Sequence, residues 1–152
     1  MKKISLFICS ATIFTMIALT AGCSSANNAG ANGTSAPAAT GKSFGSGPAG
    51  NNLTATLASA DGVLKKGKQE FTLSFTDAAG KPVDVGSAAL NFRMPAMGSM
   101  AEMNNGATFT KTSTPGVYRG NVEIEMVGDW QAQITYEGPA GKGAFSLPVV
   151  AK

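Results

Sequence analysis

The sequence contains no histidine, and its two cysteines, Cys9 and Cys23, both lie near its start. Histidine and free cysteine are the side chains that most often serve as general base and as nucleophile. The nine carboxylates are scattered, and neither a carboxylate pair nor a glycine-rich phosphate loop stands in a recognisable context. We therefore expect that the protein is not an enzyme.

The first 23 residues have the features of a secretory signal. Lys2 and Lys3 precede an apolar stretch, residues 4–19, which is too short for a stable membrane-spanning helix. The string LTAGC, residues 19–23, resembles the lipobox of bacterial lipoproteins, in which the cysteine is acylated and becomes the first mature residue. We predict a lipoprotein signal peptide over residues 1–22 and a lipid anchor, palmitate included, on Cys23. Each buried acyl methylene contributes about 0.8 kcal/mol to membrane anchoring.

Removal of the signal changes the charge and the cysteine content of the chain. Ten Lys or Arg then remain against nine Asp or Glu, so no basic patch is expected to bind nucleic acid. Cys9 leaves with the signal and Cys23 takes lipid, so no thiol remains for a disulfide or a thiolate metal site. Ser24 stands where an aspartate is associated with retention in the inner membrane of Gram-negative bacteria. We expect the cell envelope as the location, at the outer membrane and facing the periplasm if the host is Gram-negative.

The segment that follows Cys23 has the composition of a linker. Residues 24–50 are almost entirely Ser, Ala, Asn, Gly, Thr and Pro, and only Lys42 and Phe44 depart from that set. Such a composition cannot bury a core. We therefore predict a lipidated cysteine and a disordered tether over residues 23–50, spanning about 30 Å as a coil, and a folded domain over residues 51–152.

The domain shows the period-two alternation of half-buried strands. Phe71, Leu73 and Phe75, for example, lie on one side of their segment, with polar residues between them. The pattern predicts an all-β fold, an immunoglobulin-like sandwich of about seven strands. It also predicts that Pro148 lies in an edge strand and that Val127-Gly128 forms a tight hairpin. The seven segments are residues 53–57, 69–77, 88–94, 107–111, 118–126, 130–137 and 145–149.

Methionine is concentrated in one short segment, MPAMGSMAEM. Its members are four of the five methionines outside the signal, and they recur at every third position: Met94, Met97, Met100 and Met103. A thioether is a neutral, soft donor, so with no imidazole or thiolate nearby it selects Cu(I) or Ag(I) over Zn(II) or Cu(II). Calcium and magnesium require oxygen ligands and are excluded. The spacing predicts a soft-metal site if the segment curls so that the side chains converge.

Two other interpretations of the methionines stay open. Met94 continues the apolar face of residues 88–92 and is equally well explained as a core residue. The others fit a flexible apolar surface that grips a partner protein. Met126 and Trp130 lie in phase with inward-facing neighbours and are predicted to be core residues rather than part of a copper site, and Glu102 is a poor match for a soft ion.

Three stretches carry a resemblance to a known family. They are NFRMPAMGSMAEM (residues 91–103), GVYR (residues 116–119) and MVGDW (residues 126–130), and together they resemble the YtkA-like domain family of bacterial envelope proteins. The resemblance implies an immunoglobulin-like sandwich with a metal-related role beside envelope efflux components. By position, Met94 and Met97 match the family's Met-Pro-x-Met. Many relatives place histidine in this loop, and its absence here disfavours Cu(II) and leaves Cu(I) or Ag(I).

The sequence thus predicts a membrane-anchored lipoprotein that sequesters Cu(I) or Ag(I), or hands it to an envelope metal-transport or efflux protein. Its donors would be the four clustered methionines. The alternative is a non-metal interaction module whose methionine-rich loop docks an envelope partner.

Overall fold

The computed structural model describes residues 41–152. The predicted signal peptide, Cys23 and the tether as far as residue 40 therefore lie outside the described residues. From residue 41 onward the chain forms nine strands and no helix that could cross a bilayer. The strands are β1 (Lys42–Gly50), β2 (Leu53–Ser59), β3 (Gly67–Thr76), β4 (Ser87–Met94), β5 (Met103–Gly106), β6 (Thr108–Lys111), β7 (Val117–Ile124), β8 (Gly128–Gly138) and β9 (Gly141–Ala151).

The strands form two antiparallel sheets, one of five strands in the order β1-β2-β3-β7-β6 and one of four in the order β5-β4-β8-β9. Apart from β1, this is the order of an immunoglobulin-like sandwich, in which an ABED sheet faces a C′CFG sheet. The predicted all-β sandwich is confirmed, and β9, which contains Pro148, is an edge strand as expected. Nine strands are present rather than about seven. The additional two are β1 and β5, whose residues are too small or too polar to show period-two alternation.

Strand β1 corrects the predicted boundary between tether and domain. Residues 42–50 were expected to be disordered, but they pair with β2 from Lys42 opposite Ser59 to Gly50 opposite Leu53. Strand β1 has few large side chains because it lies close to β9 and leaves little room for them. A Cβ added at Gly47, for example, would be 2.5 Å from Leu147 Cδ2. The folded domain therefore includes residues 42–50, which the prediction had assigned to the tether.

The core lies between the two sheets and is centred on aromatic side chains. The Phe71 ring of β3 meets Phe44, Phe92 and Phe109 edge-on, with centroids 6.4, 5.8 and 5.8 Å away. These rings come from β1, β4 and β6, so one side chain joins both sheets. The largest fully buried side chains are Trp130, Phe71, Phe75, Phe92, Leu57, Leu64, Leu73, Met94, Ile124, Ile134 and Val85.

The connection between β7 and β8 does not form the predicted hairpin. The two strands belong to different sheets, so residues 125–127 cross from one layer of the sandwich to the other. Trp130 is 1% exposed, as predicted for a core residue, and its indole N–H donates to the Met126 carbonyl at 3.0 Å. Met126 is partly buried against the core. The alternating pattern correctly predicted which side chains point inward, but it could not predict to which of the two sheets each strand belongs.

Candidate metal site

The methionine-rich segment forms the tip of a β-hairpin between β4 and β5. Met94 lies opposite Met103 in the ladder. Farther along, the Met97 N–H donates to the Met100 carbonyl at 3.2 Å, and the Met100 N–H donates to the Met97 carbonyl at 2.9 Å. Gly98 at the turn has φ +58°, a conformation that suits glycine at the first central position of a two-residue hairpin turn. The segment is thus an ordered turn rather than a long loop.

Exposure divides the four methionines. Met94 is 1% exposed and belongs to the core. Met103 is partly buried and packs against that core. Met97 and Met100 are 47% and 40% exposed and lie next to each other. The structure therefore places two of the predicted donors at the surface, one at the margin, and one in the interior, where solvent does not reach it.

Met97 and Met100 are the pair that the fold brings together. They form an isolated antiparallel bridge and exchange both backbone hydrogen bonds. Residues directly opposite in such a pair have Cβ atoms about 4.5–5.5 Å apart and point to the same face. Two flexible thioether side chains that start from this separation can converge on one small ion.

The outer side of the hairpin is held by a polar network. The Glu102 carboxylate accepts hydrogen bonds from the Arg93 guanidinium and from the Asn104 side-chain amide, the latter at 2.9 Å. Asn104 also accepts a hydrogen bond from the Asn91 amide, at 2.9 Å. The hydrogen bond from Arg93, followed by that from Asn104, holds the pKa of Glu102 below its usual value. Glu102 thus braces the turn through these two hydrogen bonds.

No cluster of harder donors accompanies the methionines in the part of the chain that the structure describes. Within residues 41–152 there is no group of three or more His, Cys, Asp or Glu side chains that could hold a metal ion. Methionine thioethers are not among these four residue types. One buried oxygen, Asn105 Oδ1, lacks a hydrogen-bond partner within the same stretch, and Asn105 follows Met103 by two residues on β5. An amide oxygen suits hard ions better than Cu(I).

One exposed residue near the tip was missed by the sequence analysis. Val127, in the connection between β7 and β8, is 53% exposed. The neighbouring Gly128 lies against the end of β4, since a Cβ there would be 3.1 Å from the Met94 methyl carbon. Because β4 and β8 are hydrogen-bonded neighbours, this brings Val127 to the same end of the sandwich as Met97 and Met100. In the sequence it appeared only as a turn residue.

A hollow with a different lining lies elsewhere in the described part of the chain. It has a volume of about 660 Å³ and is lined mainly by Ser and Thr side chains and the ion pair of Glu70 with Arg119. Methionine, cysteine and histidine are missing from its lining, so the methionine tip remains the candidate metal site.

Comparison with known proteins supports one relationship. The family model described as YtkA-like matches residues 49–135. A search of the curated proteins gave no match. The matched region spans strands β2 to β7 completely and most of β8, the part of the sandwich that carries the methionine hairpin. Because that match covers more than half of the sequence, the chain belongs to the YtkA-like family.

Proposed function

We propose that this protein is a membrane-anchored envelope lipoprotein that binds Cu(I) or Ag(I), for sequestration or for hand-over to an envelope metal-transport partner. The proposed donors are Met97 and Met100. The observation that carries the proposal is the cross-strand pair of exposed methionines at an ordered turn.

The chemistry of the pair supports a soft monovalent ion. Thioether sulfur is neutral and polarizable and favours Cu(I) over harder ions. Exposing two adjacent apolar side chains to water is unfavourable, at about 25 cal/mol per Å² of apolar surface, and adjacent exposed apolar groups are typical of binding sites. Metal binding gives that explanation without requiring a proton to leave the site, since a thioether carries none.

Met94 has a different role from the one first assigned to it. At 1% exposure it fills the core below the turn, next to Gly128 of β8. We assign it to positioning the hairpin rather than to the ion. The proposed donor set is therefore smaller than the four residues that the sequence suggested.

A competitive titration tests the donor assignment. The soluble chain from Ser24 to Lys152 is titrated with Cu(I) under anaerobic conditions against a chelator of known affinity. Met97→Leu with Met100→Leu keeps the apolar volume but removes both exposed sulfurs, so binding should be lost. The matched control, Met94→Leu, removes a buried sulfur at a cost below about 1.5 kcal/mol and should leave the affinity unchanged. Equal affinity in all three chains would contradict the proposal.

A docking module without metal is the second candidate, because Met97, Met100 and Val127 together expose apolar side chains at one end of the domain. Replacing all four clustered methionines by leucine separates the two functions in cells. Leucine preserves an apolar docking surface but cannot bind the ion. Copper tolerance should therefore fall if the protein handles metal, and preserved tolerance would favour docking.

A further inference from the structure

The methionines of the domain differ in how far they are open to a reagent dissolved in water. Met97 and Met100 are 47% and 40% exposed, whereas Met94 is 1% exposed. Met103 and Met126 are partly buried and pack against the core. Residues 24–152 contain no other methionine. The two proposed donors are therefore also the two most exposed thioethers of the domain.

A thioether is open to oxidation by a peroxide. The sulfur lone pair attacks one oxygen of hydrogen peroxide, the O–O bond breaks, and the departing hydroxide takes up the remaining proton and leaves as water. Sulfur loses two electrons, the peroxide gains them, and methionine becomes methionine sulfoxide. Residues 24–152 contain no cysteine, so thioethers are the sulfur groups that a peroxide meets there. Exposed sulfur reacts before buried sulfur, because the oxidant must reach it.

Oxidation would change the kind of donor that the tip offers. A sulfoxide presents a polar oxygen, which is a harder donor than the thioether sulfur that Cu(I) and Ag(I) prefer. Met97 and Met100 lie opposite each other in one turn, and both are exposed. An oxidant that reaches one of them therefore reaches the other as well, and the site would lose both soft donors.

The fold of the turn does not depend on these two sulfur atoms. Met97 and Met100 pair through their backbone groups, at 3.2 and 2.9 Å, and the Arg93 guanidinium donates to the Glu102 carboxylate beside them. Below the turn, Met94 is shielded in the core. Sulfoxide formation disrupts a core because it makes an apolar side chain polar, and at an exposed position this cost is small. Oxidation of the tip should therefore leave the hairpin folded.

We propose that Met97 and Met100 form a reversible oxidation site, at which a peroxide converts both thioethers to sulfoxides and so releases the bound Cu(I) or Ag(I). The release rests on the proposed function, whereas the selectivity of oxidation rests only on side-chain exposure. Methionine sulfoxide reductases restore the thioether: two thiols form a disulfide and the sulfoxide oxygen leaves as water. The ion in turn protects its donors, because a sulfur that donates a lone pair to a cation is a weaker nucleophile.

Peptide mapping after oxidation tests the selectivity. The metal-free chain from Ser24 to Lys152 is treated with hydrogen peroxide for increasing times, and the reaction is stopped with catalase before digestion with trypsin. Cleavage after Arg93 and Lys111 releases residues 94–111, which contain four of the five methionines, and fragmentation spectra locate each added oxygen. Oxidation should be several-fold faster at positions 97 and 100 than at position 94. Equal rates at the three positions would overturn the proposal.

Ag(I) tests whether the ion and the oxidant compete for the same sulfur atoms. Ag(I) is a soft ion like Cu(I), and it is not oxidised further by peroxide in a chloride-free buffer. At saturating Ag(I), oxidation of Met97 and Met100 should slow several-fold. Met103 and Met126 are the internal controls, and their oxidation rates should not change. Unchanged oxidation of Met97 and Met100 in a chain that has bound Ag(I) would overturn the link between the ion and the oxidation site.

Titration of the oxidised chain tests the release. Cu(I) binding should be lost, as in the variant with Met97→Leu and Met100→Leu, while the urea midpoint stays that of the untreated chain. Reductases A and B, one for each sulfoxide epimer, should restore binding when a dithiol is supplied. Loss of binding together with a lower urea midpoint would show that oxidation unfolds the domain, and would overturn the proposal.

The two proposals fail in distinguishable ways. The peptide map requires no metal, and titration of the untreated chain requires no oxidant. Selective oxidation of a chain that does not bind Cu(I) would overturn the proposed function and the release together, but not the oxidation site. Binding that survives conversion of both methionines, in a protein whose double leucine variant does not bind, would overturn the release and leave the proposed function standing.

Discussion

The two tyrosines show how single hydroxyl groups tie the loops to the sandwich. The Tyr118 hydroxyl donates to the Gly86 carbonyl at 3.0 Å and lies 3.4 Å from Asp84 Oδ1. Burial, and then the nearby Asp84 carboxylate, raise the pKa of Tyr118 to about 12. Its neutral form is therefore favoured in the folded protein.

We expect Tyr118 to cause a loss of stability at alkaline pH. Its folded pKa is raised, so its contribution is complete below the ordinary tyrosine value of 10.0 and is lost as the pH rises through about 12. Denaturant unfolding at a series of alkaline pH values measures the loss, and Tyr118→Phe should flatten this part of the profile. An unchanged profile in the variant would contradict the assignment.

Strand β1 is the element whose removal has the clearest expected consequence. The Tyr136 hydroxyl donates to the Ala49 carbonyl at 3.1 Å and accepts a hydrogen bond from the Asn51 amide at 3.0 Å. Ala49 is buried, and Phe44 packs against the core. These contacts make β1 part of the folded domain rather than an attachment to it.

A chain that begins at Asn51 should be markedly less stable than one that begins at Gly41. Loss of the Ala49 carbonyl alone deprives the Tyr136 hydroxyl of its acceptor, and a buried polar group without its partner costs about 1–3 kcal/mol. Exposure of the edge of β2 adds to this cost. Urea unfolding of the two chains gives the comparison, with the chain from Ser24 as reference. Equal midpoints would show that β1 is dispensable.

At the scale of the whole molecule, one ring links the two sheets. Phe71 of β3 contacts rings of β1, β4 and β6, and it lies over Gly120 of β7, where a Cβ would be 2.4 Å from Phe71 Cζ. Five strands therefore depend on this side chain for their packing.

Phe71→Ala should lower the free energy of unfolding by about 3–5 kcal/mol, the usual cost of removing a buried phenylalanine ring. Val150→Ala, at a side chain that is 53% exposed, should change it by less than about 0.5 kcal/mol. Chemical denaturation measures both. A small effect at position 71 would mean that the sheets pack independently of this ring.

The alternation of apolar and polar residues along a strand is a local property of the sequence. The sequence alone therefore predicted seven strands, the faces that point inward, and the core position of Trp130. The sequence also identified the thioethers of the methionine segment as soft potential donors, because the type of donor atom depends only on the type of residue. β1 escaped notice because its small residues leave no periodic signal. Two of them, Gly45 and Gly47, lie against Val149 and Leu147 of β9, which are distant in sequence.

Tertiary structure alone decided which methionines reach the surface. Spacing by three allowed all four to converge, but pairing of β4 with β5 places Met94 in the core and Met97 and Met100 at an exposed turn. The direction in which the chain enters the domain was decided in the same way, by the pairing of β1 with β2. Both depend on which strands pair and on how those strands pack against distant segments, as β4 does against β8, and residue type and local period do not determine this.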